Sequence, residues 1–197
     1  MKKIDDAVRR LEKALEEDGI DPRQGLPESV FIMASSLMPI VNIDLFIVDG
    51  KGRVLLSWRD DLYHTKGWHI PGGCVRIQET LAQRITRMAL AEIGTEVAYA
   101  KEPVTVREGI SNLSERPWLK NPLERSHNIS FLYFAKLCEG FQVDNRGLGL
   151  HDKGYLKWFS EVPLDLLPAH QALYSDVLNG WFQGKKGVWE KRDWDVL

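Results

Sequence analysis

The sequence predicts an α/β or α+β layered fold. Three observations carry this. Short β-rich runs are interleaved with amphipathic helical runs along the chain. A glycine turn at Gly72-Gly73 leads through a short extended piece into a helix closed by Gly94. A strongly apolar run, Ile129–Leu137, reads as a buried strand.

The elements follow in order. Ile4, Val8, Leu11 and Leu15 recur at helical spacing within Lys3–Glu17, giving an amphipathic helix with a narrow apolar face. That face suits either packing on its own domain or a dimer contact. Gly19-Ile20-Asp21-Pro22 breaks the helix, and a second one is expected from Pro27 to about Leu37, with proline suited to the first turn. Ile40–Val48 is a strand, Asp49-Gly50-Lys51-Gly52 a hairpin turn and Val54–Arg59 the return strand. Asp60–Lys66 is a polar loop, and Trp68–Ile70 leads into Pro71-Gly72-Gly73.

The helix expected from near Glu79 to Gly94 contains no proline, and glycine closes it because glycine takes the left-handed conformation cheaply. At about 100° per residue, Leu81, Ile85, Met88 and Ala89 form one apolar stripe, and Glu92 falls inside it. Its neighbours three and four residues back are Ala89 and Met88, so no local cation satisfies it. A carboxylate on a core-facing stripe finds a partner, is neutral, or holds a metal.

Glu96–Ala100 and Val104–Arg107 read as strands. Gly109–Ser126 has no period and carries Pro117 and Pro122; a connection of that length is typical of lids and binding loops. Asp144–Gly154 is a glycine-rich loop, Tyr155–Phe159 a strand and Leu167–Phe182 the final helix. Trp189 and Trp194 in the Gly184–Leu197 tail predict that it packs on the body or on a second subunit.

Length and composition bound the rest. A chain of 197 residues, 44% hydrophobic and 27% charged, suits one globular domain. A net charge of −2 gives no electrostatic case for nucleic acid or an anionic membrane, so local arginines must handle an anionic substrate. No apolar run spans a bilayer and the charged N-terminus has no signal-peptide core. Cys74 and Cys138 imply no disulfide framework, so the expectation is a reduced, cytoplasmic setting.

The central spacing has a counterpart. Gly73, five residues, Glu79, seven residues, Arg87, then Glu92 and Gly94 resemble the Nudix box, G-x5-E-x7-R-E-U-x-E-E-x-G-U. The glutamates of that box are absent at Met88 and Ala91, and Thr95 stands for an aliphatic residue. Met38–Leu45, Leu55–Arg59, Gly67–Gly73 and Ala91–Gly94 resemble GDP-mannose mannosyl hydrolases, a Nudix branch that lacks the same two glutamates. The resemblance runs from Met38 to Gly184. It divides the chain into an N-terminal helical extension (1–37), a Nudix domain (38–184) and a tail (185–197), and implies a Nudix α/β/α sandwich with a mixed sheet.

The resemblance also implies a site. Glu92 and the Gly72 carbonyl would hold Mg²⁺ beneath a substrate diphosphate. Arg59 would grip the leaving diphosphate, bidentate and permanently charged. His151, in a His-Asp pair with Asp152, would be the general base, since an imidazole of near-neutral pKa suits taking a proton from water. Asp44 matches an aspartate near the sugar, and His127 is a candidate substrate contact. Gly73, Glu79 and Arg87 would support the catalytic loop and helix. Two positions depart: the branch's arginine after the glycine pair is Cys74, which Arg76 would replace, and its glutamine ligand before the histidine is Leu150. Asp144 or Asp152 substitutes for that ligand, the register shifts, or metal dependence is weakened.

The implied reaction is Mg²⁺-assisted hydrolysis of a nucleotide-diphosphate sugar by water attack at the anomeric carbon, in a homodimer. A Nudix pyrophosphohydrolase cleaving P–O, and a silent nucleotide- or partner-binding Nudix domain, stand as alternatives.

Overall fold

Strand β1 (Ile40–Ile47) is where two apolar layers meet, because its residues alternate between them. Ile43, Leu45 and Ile47 pack with Ile85, Met88 and Ile93 on one side, while Phe46 faces Tyr174, Val177 and Trp181 on the other. The structure, a computed structural model, describes residues 2–63, 65–185 and 194–195.

Around β1 stand β2 (Val54–Arg59), β3 (Gly67–His69), β4 (Gly72–Cys74), β5 (Val97–Ala100), β6 (Thr105–Ile110), β7 (His127–Leu137), β8 (Leu156–Phe159) and β9 (Trp194–Asp195). The larger sheet runs β4-β1-β7-β5-β9, with β6 also on β7; β1 and β7 are parallel and the other pairs antiparallel, so the sheet is mixed as expected. The smaller sheet is β3-β2-β8. The pairing of β9 with β5 is a backbone contact between tail and body; Trp189 lies outside the described residues.

The helices are α1 (Lys2–Glu17), α2 (Glu28–Ser35), α3 (Leu81–Met88) and α4 (Pro168–Phe182). In α1 no residue is buried: Ile4 and Val8 are exposed, Leu11 and Leu15 half-buried. Helix α3 starts at Leu81, later than the sequence implied, because Thr80 and Gln83 form a reciprocal capping box: Gln83 N donates to Thr80 Oγ1 at 3.2 Å and Thr80 N to Gln83 Oε1 at 2.9 Å. Helix α4 opens on Pro168 and buries Leu173, Tyr174, Val177, Leu178 and Trp181 against the sheet. With α3 and α4 on opposite faces, the layers are α/β/α.

Candidate active site

The glycine pair ends in a braced loop. Glu79 is buried, accepts from Arg76 N at 2.9 Å, and pairs with Arg87 at 3.3 Å and Arg84 at 3.8 Å. A Cβ on Gly73 would stand 3.0 Å from the Arg84 guanidinium, so glycine leaves room for that side chain. The structure thus brings Gly73, Glu79 and Arg87 together.

Glu92 is not where a regular helix puts it. After Met88 the chain turns as a π-helix over Ala89–Ile93 before Gly94 closes it at φ 90°. The wider turn shifts the stripe by one position: Ile93 takes the buried place that α-helical spacing assigns to Glu92. Glu92 instead reaches solvent in a cleft of about 500 Å³, shared with Trp58, Arg59 and the 144–154 loop.

The cleft walls desolvate this carboxyl and push its pKa up to about 7; the Arg59 charge and a hydrogen bond from the Gly72 backbone oppose the shift, and the Asp44 charge adds to it. The register explains why Gly72 reaches Glu92. Bonds from Leu45 N to Pro71 O and from Val75 N to Val41 O bracket the Asp44–Gly72 pair, so it is a non-hydrogen-bonded pair. The N–H and C=O of Gly72 therefore turn away from β1, off the sheet edge.

Asp44 is buried on the α4 face of β1. Its Oδ1 lies 2.0 Å from where a Gly72 Cβ would be, so no other residue fits there. Burial raises its carboxyl to about 6, opposed by hydrogen bonds from the Tyr174 hydroxyl, at 2.5 Å, and from Ser130, and by the charge of Arg59. Arg59 is aimed by Asp61, which accepts from its Nε at 2.6 Å. Arg59 borders both the cleft and a narrow cavity of about 60 Å³ beside Asp44, and so joins the two.

His151 is exposed, its ring 4.4 Å from that of Trp58. The Trp58 ring packs in the α4-side cluster with Trp68 and Ile70, on the other face of β2 from its neighbour Arg59, and His151 is not among the residues that border the cleft, although other residues of its loop are. Asp144 lines the cleft as well; Leu150 is exposed, and Asp152 is engaged locally, accepting from Gly149 N at 2.7 Å.

Two expected contacts lie elsewhere. Arg76 does not face the cleft, because its guanidinium packs against Gly25 of the N-terminal extension. His127 is paired with Glu108 at 3.0 Å on a strand edge, one residue from the cavity-lining Asn128 and on the other face of β7.

Residues that the sequence reading missed complete the walls. Arg125 borders both cavities, its guanidinium held over Phe31 and Tyr63, each 5.5 Å from the ring centre, and its Nε is buried with no hydrogen-bond partner. Arg125 thus brings a second permanent positive charge to the walls that Arg59 borders. His69 also borders both cavities; its Nδ1 lies 2.8 Å from the Ser57 carbonyl, which can only accept, so the proton sits on Nδ1. In His170 the Nδ1 accepts from Ile70 N at 3.3 Å, which places the proton of the neutral ring on Nε2. His69 had a signal, lying just before Pro71-Gly72-Gly73; Arg125, in a loop without period, had none.

A divalent cation fits this donor set. Among the described residues there is no cluster of three or more His, Cys, Asp or Glu side chains. The Glu92 carboxylate and the outward Gly72 carbonyl would offer such a cation few protein oxygens and leave the remaining positions to phosphate and water.

Residues 38–177 match the family described as the NUDIX domain. The chain belongs to that family. The low-salt glycan biosynthesis protein Agl8 of Haloferax volcanii is 32% identical over 76 residues, 39% of this chain and 48% of that protein. The match therefore spans about half the length of that curated relative. Among solved NUDIX-type structures, a UDP-X diphosphatase superposes with a TM-score of 0.50 at 18% identity, covering 92% of this chain and 82% of that one, and shows the shared fold. An ADP-ribose pyrophosphatase from Streptococcus suis gives a TM-score of 0.48 at 17% identity, over 76% of this chain and 94% of that one. NUDIX hydrolases generally use a divalent metal. No helix among the described residues is long and apolar enough to cross a membrane.

Proposed function

We propose that this NUDIX chain hydrolyses a nucleotide-diphosphate sugar of the GDP-mannose type to the nucleoside diphosphate and the free sugar, by attack of water on the anomeric carbon. The observation that carries the reading is the asymmetry of the cleft. Of the three positions that follow Arg87 and carry glutamate in the Nudix box, Met88 is buried in the core, Ala91 presents a methyl group and Glu92 alone keeps its carboxylate, in a cleft shared with Arg59 and Arg125. Such a cleft is equipped to stabilise a departing diphosphate, not to assemble several carboxylates around a phosphorus.

Each residue then has a task. Arg59, fixed by Asp61, and Arg125 hold the diphosphate oxygens and take up the charge that develops on the leaving group. Glu92 and the Gly72 carbonyl would hold a divalent cation, which would supply further positive charge to the leaving group. His151, exposed on the 144–154 loop whose other residues border the cleft, accepts the proton of the attacking water as its oxygen bonds to the sugar carbon and the C–O bond to diphosphate breaks. Asp44 accepts a hydrogen bond from a substrate hydroxyl. The setting is cytoplasmic and the assembly a homodimer.

A panel of nucleotide sugars with and without Mg²⁺ tests this. Mg²⁺-dependent release of free sugar from a GDP-hexose is expected, reduced on the order of a hundredfold in His151→Ala. Release of sugar phosphate and nucleoside monophosphate, or binding without turnover, would overturn it.

A further inference from the structure

The narrow cavity beside Asp44 is a neck between two chambers of different chemistry. On one side lies the cleft, with Arg59, Arg125, Arg146 and Lys153 in its wall. On the other, sharing Asn128, Leu167, Ala169 and Leu173 with the neck, lies a second chamber of about 490 Å³ that the reaction above does not use. That volume falls within the usual range for small-molecule sites.

The second chamber is built for a flat, neutral ring. Tyr63, Ile110, Trp118 and Leu173 supply apolar and aromatic surface, and Ser111 and Asn128 supply polar edges. Its two charged side chains are committed elsewhere. Arg116 is buried and donates to the carbonyls of Pro122 at 3.1 Å, Glu124 at 2.6 Å and Tyr63 at 3.3 Å; Glu108 is paired with His127. The Arg116 clamp folds the 111–126 segment into a wall, and the Trp118 indole N–H is tied to Leu62 O at 3.1 Å. An aromatic side chain fixed beside amide and hydroxyl groups is a stacking platform for a heteroaromatic base.

We propose that this chamber is the nucleobase subsite, with the diphosphate running through the neck past Arg125 and Arg59 toward Glu92. The inference rests on the nucleotide-sugar reading for the class of substrate. It assigns base selection to the 111–126 segment and the start of α4, apart from the reacting groups.

Titration calorimetry with guanosine diphosphate and, separately, inorganic pyrophosphate, both with Mg²⁺, tests it on wild type, Trp118→Ala and Ala172→Trp. Ala172 is an exposed α4 residue bordering the chamber, so the tryptophan fills the space without entering the core. Both variants are expected to weaken guanosine diphosphate roughly tenfold or more and to leave pyrophosphate within about twofold. Unchanged nucleotide affinity in both variants, equal weakening of pyrophosphate, or no binding of guanosine diphosphate to wild type would overturn the subsite. Selective weakening in a protein that hydrolyses no nucleotide sugar would uphold the subsite and defeat the reaction.

Discussion

The Tyr174 hydroxyl donates to Asp44 Oδ2 at 2.5 Å, tying α4 to the face of β1 that borders the narrow cavity. This carboxylate is buried, so its hydrogen bonds decide what its charge costs. Tyr174→Phe should lower stability by about 1.5–3 kcal/mol in urea denaturation. The loss should be larger at neutral pH, where Asp44 is ionised, than in mild acid. Equal loss at both would contradict the pairing of a charge.

Stability should fall as pH rises through the carboxylate range. Asp44 is raised from 3.8 to about 6 and Glu92 from 4.5 to about 7, burial being the first cause of each. The folded state then binds these protons more tightly than the unfolded chain does. Their contribution is full below the unfolded values and is lost as pH passes the folded ones. Without divalent cations, the urea midpoint should decline between about pH 4 and about pH 7, and Asp44→Asn should flatten the lower part of that decline. A decline unaltered by the substitution would assign it to other groups.

Gly72→Ala probes the close approach of two strands. The added methyl would stand 2.0 Å from Asp44 Oδ1 and 2.7 Å from Ile43 O, so either the aspartate leaves its place or β4 shifts. Overpacking of this kind costs about 1–3 kcal/mol, read from chemical denaturation. Mg²⁺ affinity, measured by calorimetry, should weaken in the same variant because β4 carries the Gly72 carbonyl.

The Arg59–Asp61 pair separates aim from charge. Asp61→Asn keeps the arginine but loosens it and should raise KM several-fold, whereas Arg59→Lys removes the fork and should reduce kcat/KM roughly tenfold or more. Steady-state kinetics distinguish them; equal, negligible effects would place the diphosphate elsewhere.

Much of this architecture was legible in the chain. The apolar alternation in Ile40–Val48, the run Ile129–Leu137 and the Gly94 stop are local signals, and each element formed within a few residues of its expected bounds. The π turn was not legible, because no local residue announces an extra position in a helical turn; its consequence was to place Glu92 on the core stripe when it faces the cleft. Arg125 was invisible for a different reason. Its placement depends on Phe31, Ser35 and Tyr63, remote in sequence, whereas Arg59 could be read from the end of its own strand. Arg76 was misjudged because strand alternation stops at Cys74 and the loop beyond it turns toward Gly25.

Which bond breaks is the centre of the account. Hydrolysis of a GDP-hexose in ¹⁸O-enriched water, with products separated and weighed by mass spectrometry, decides it directly. Heavy oxygen in the released sugar, with an unlabelled nucleoside diphosphate, is the predicted result. Heavy oxygen in a phosphate product, with none in the sugar, would contradict it.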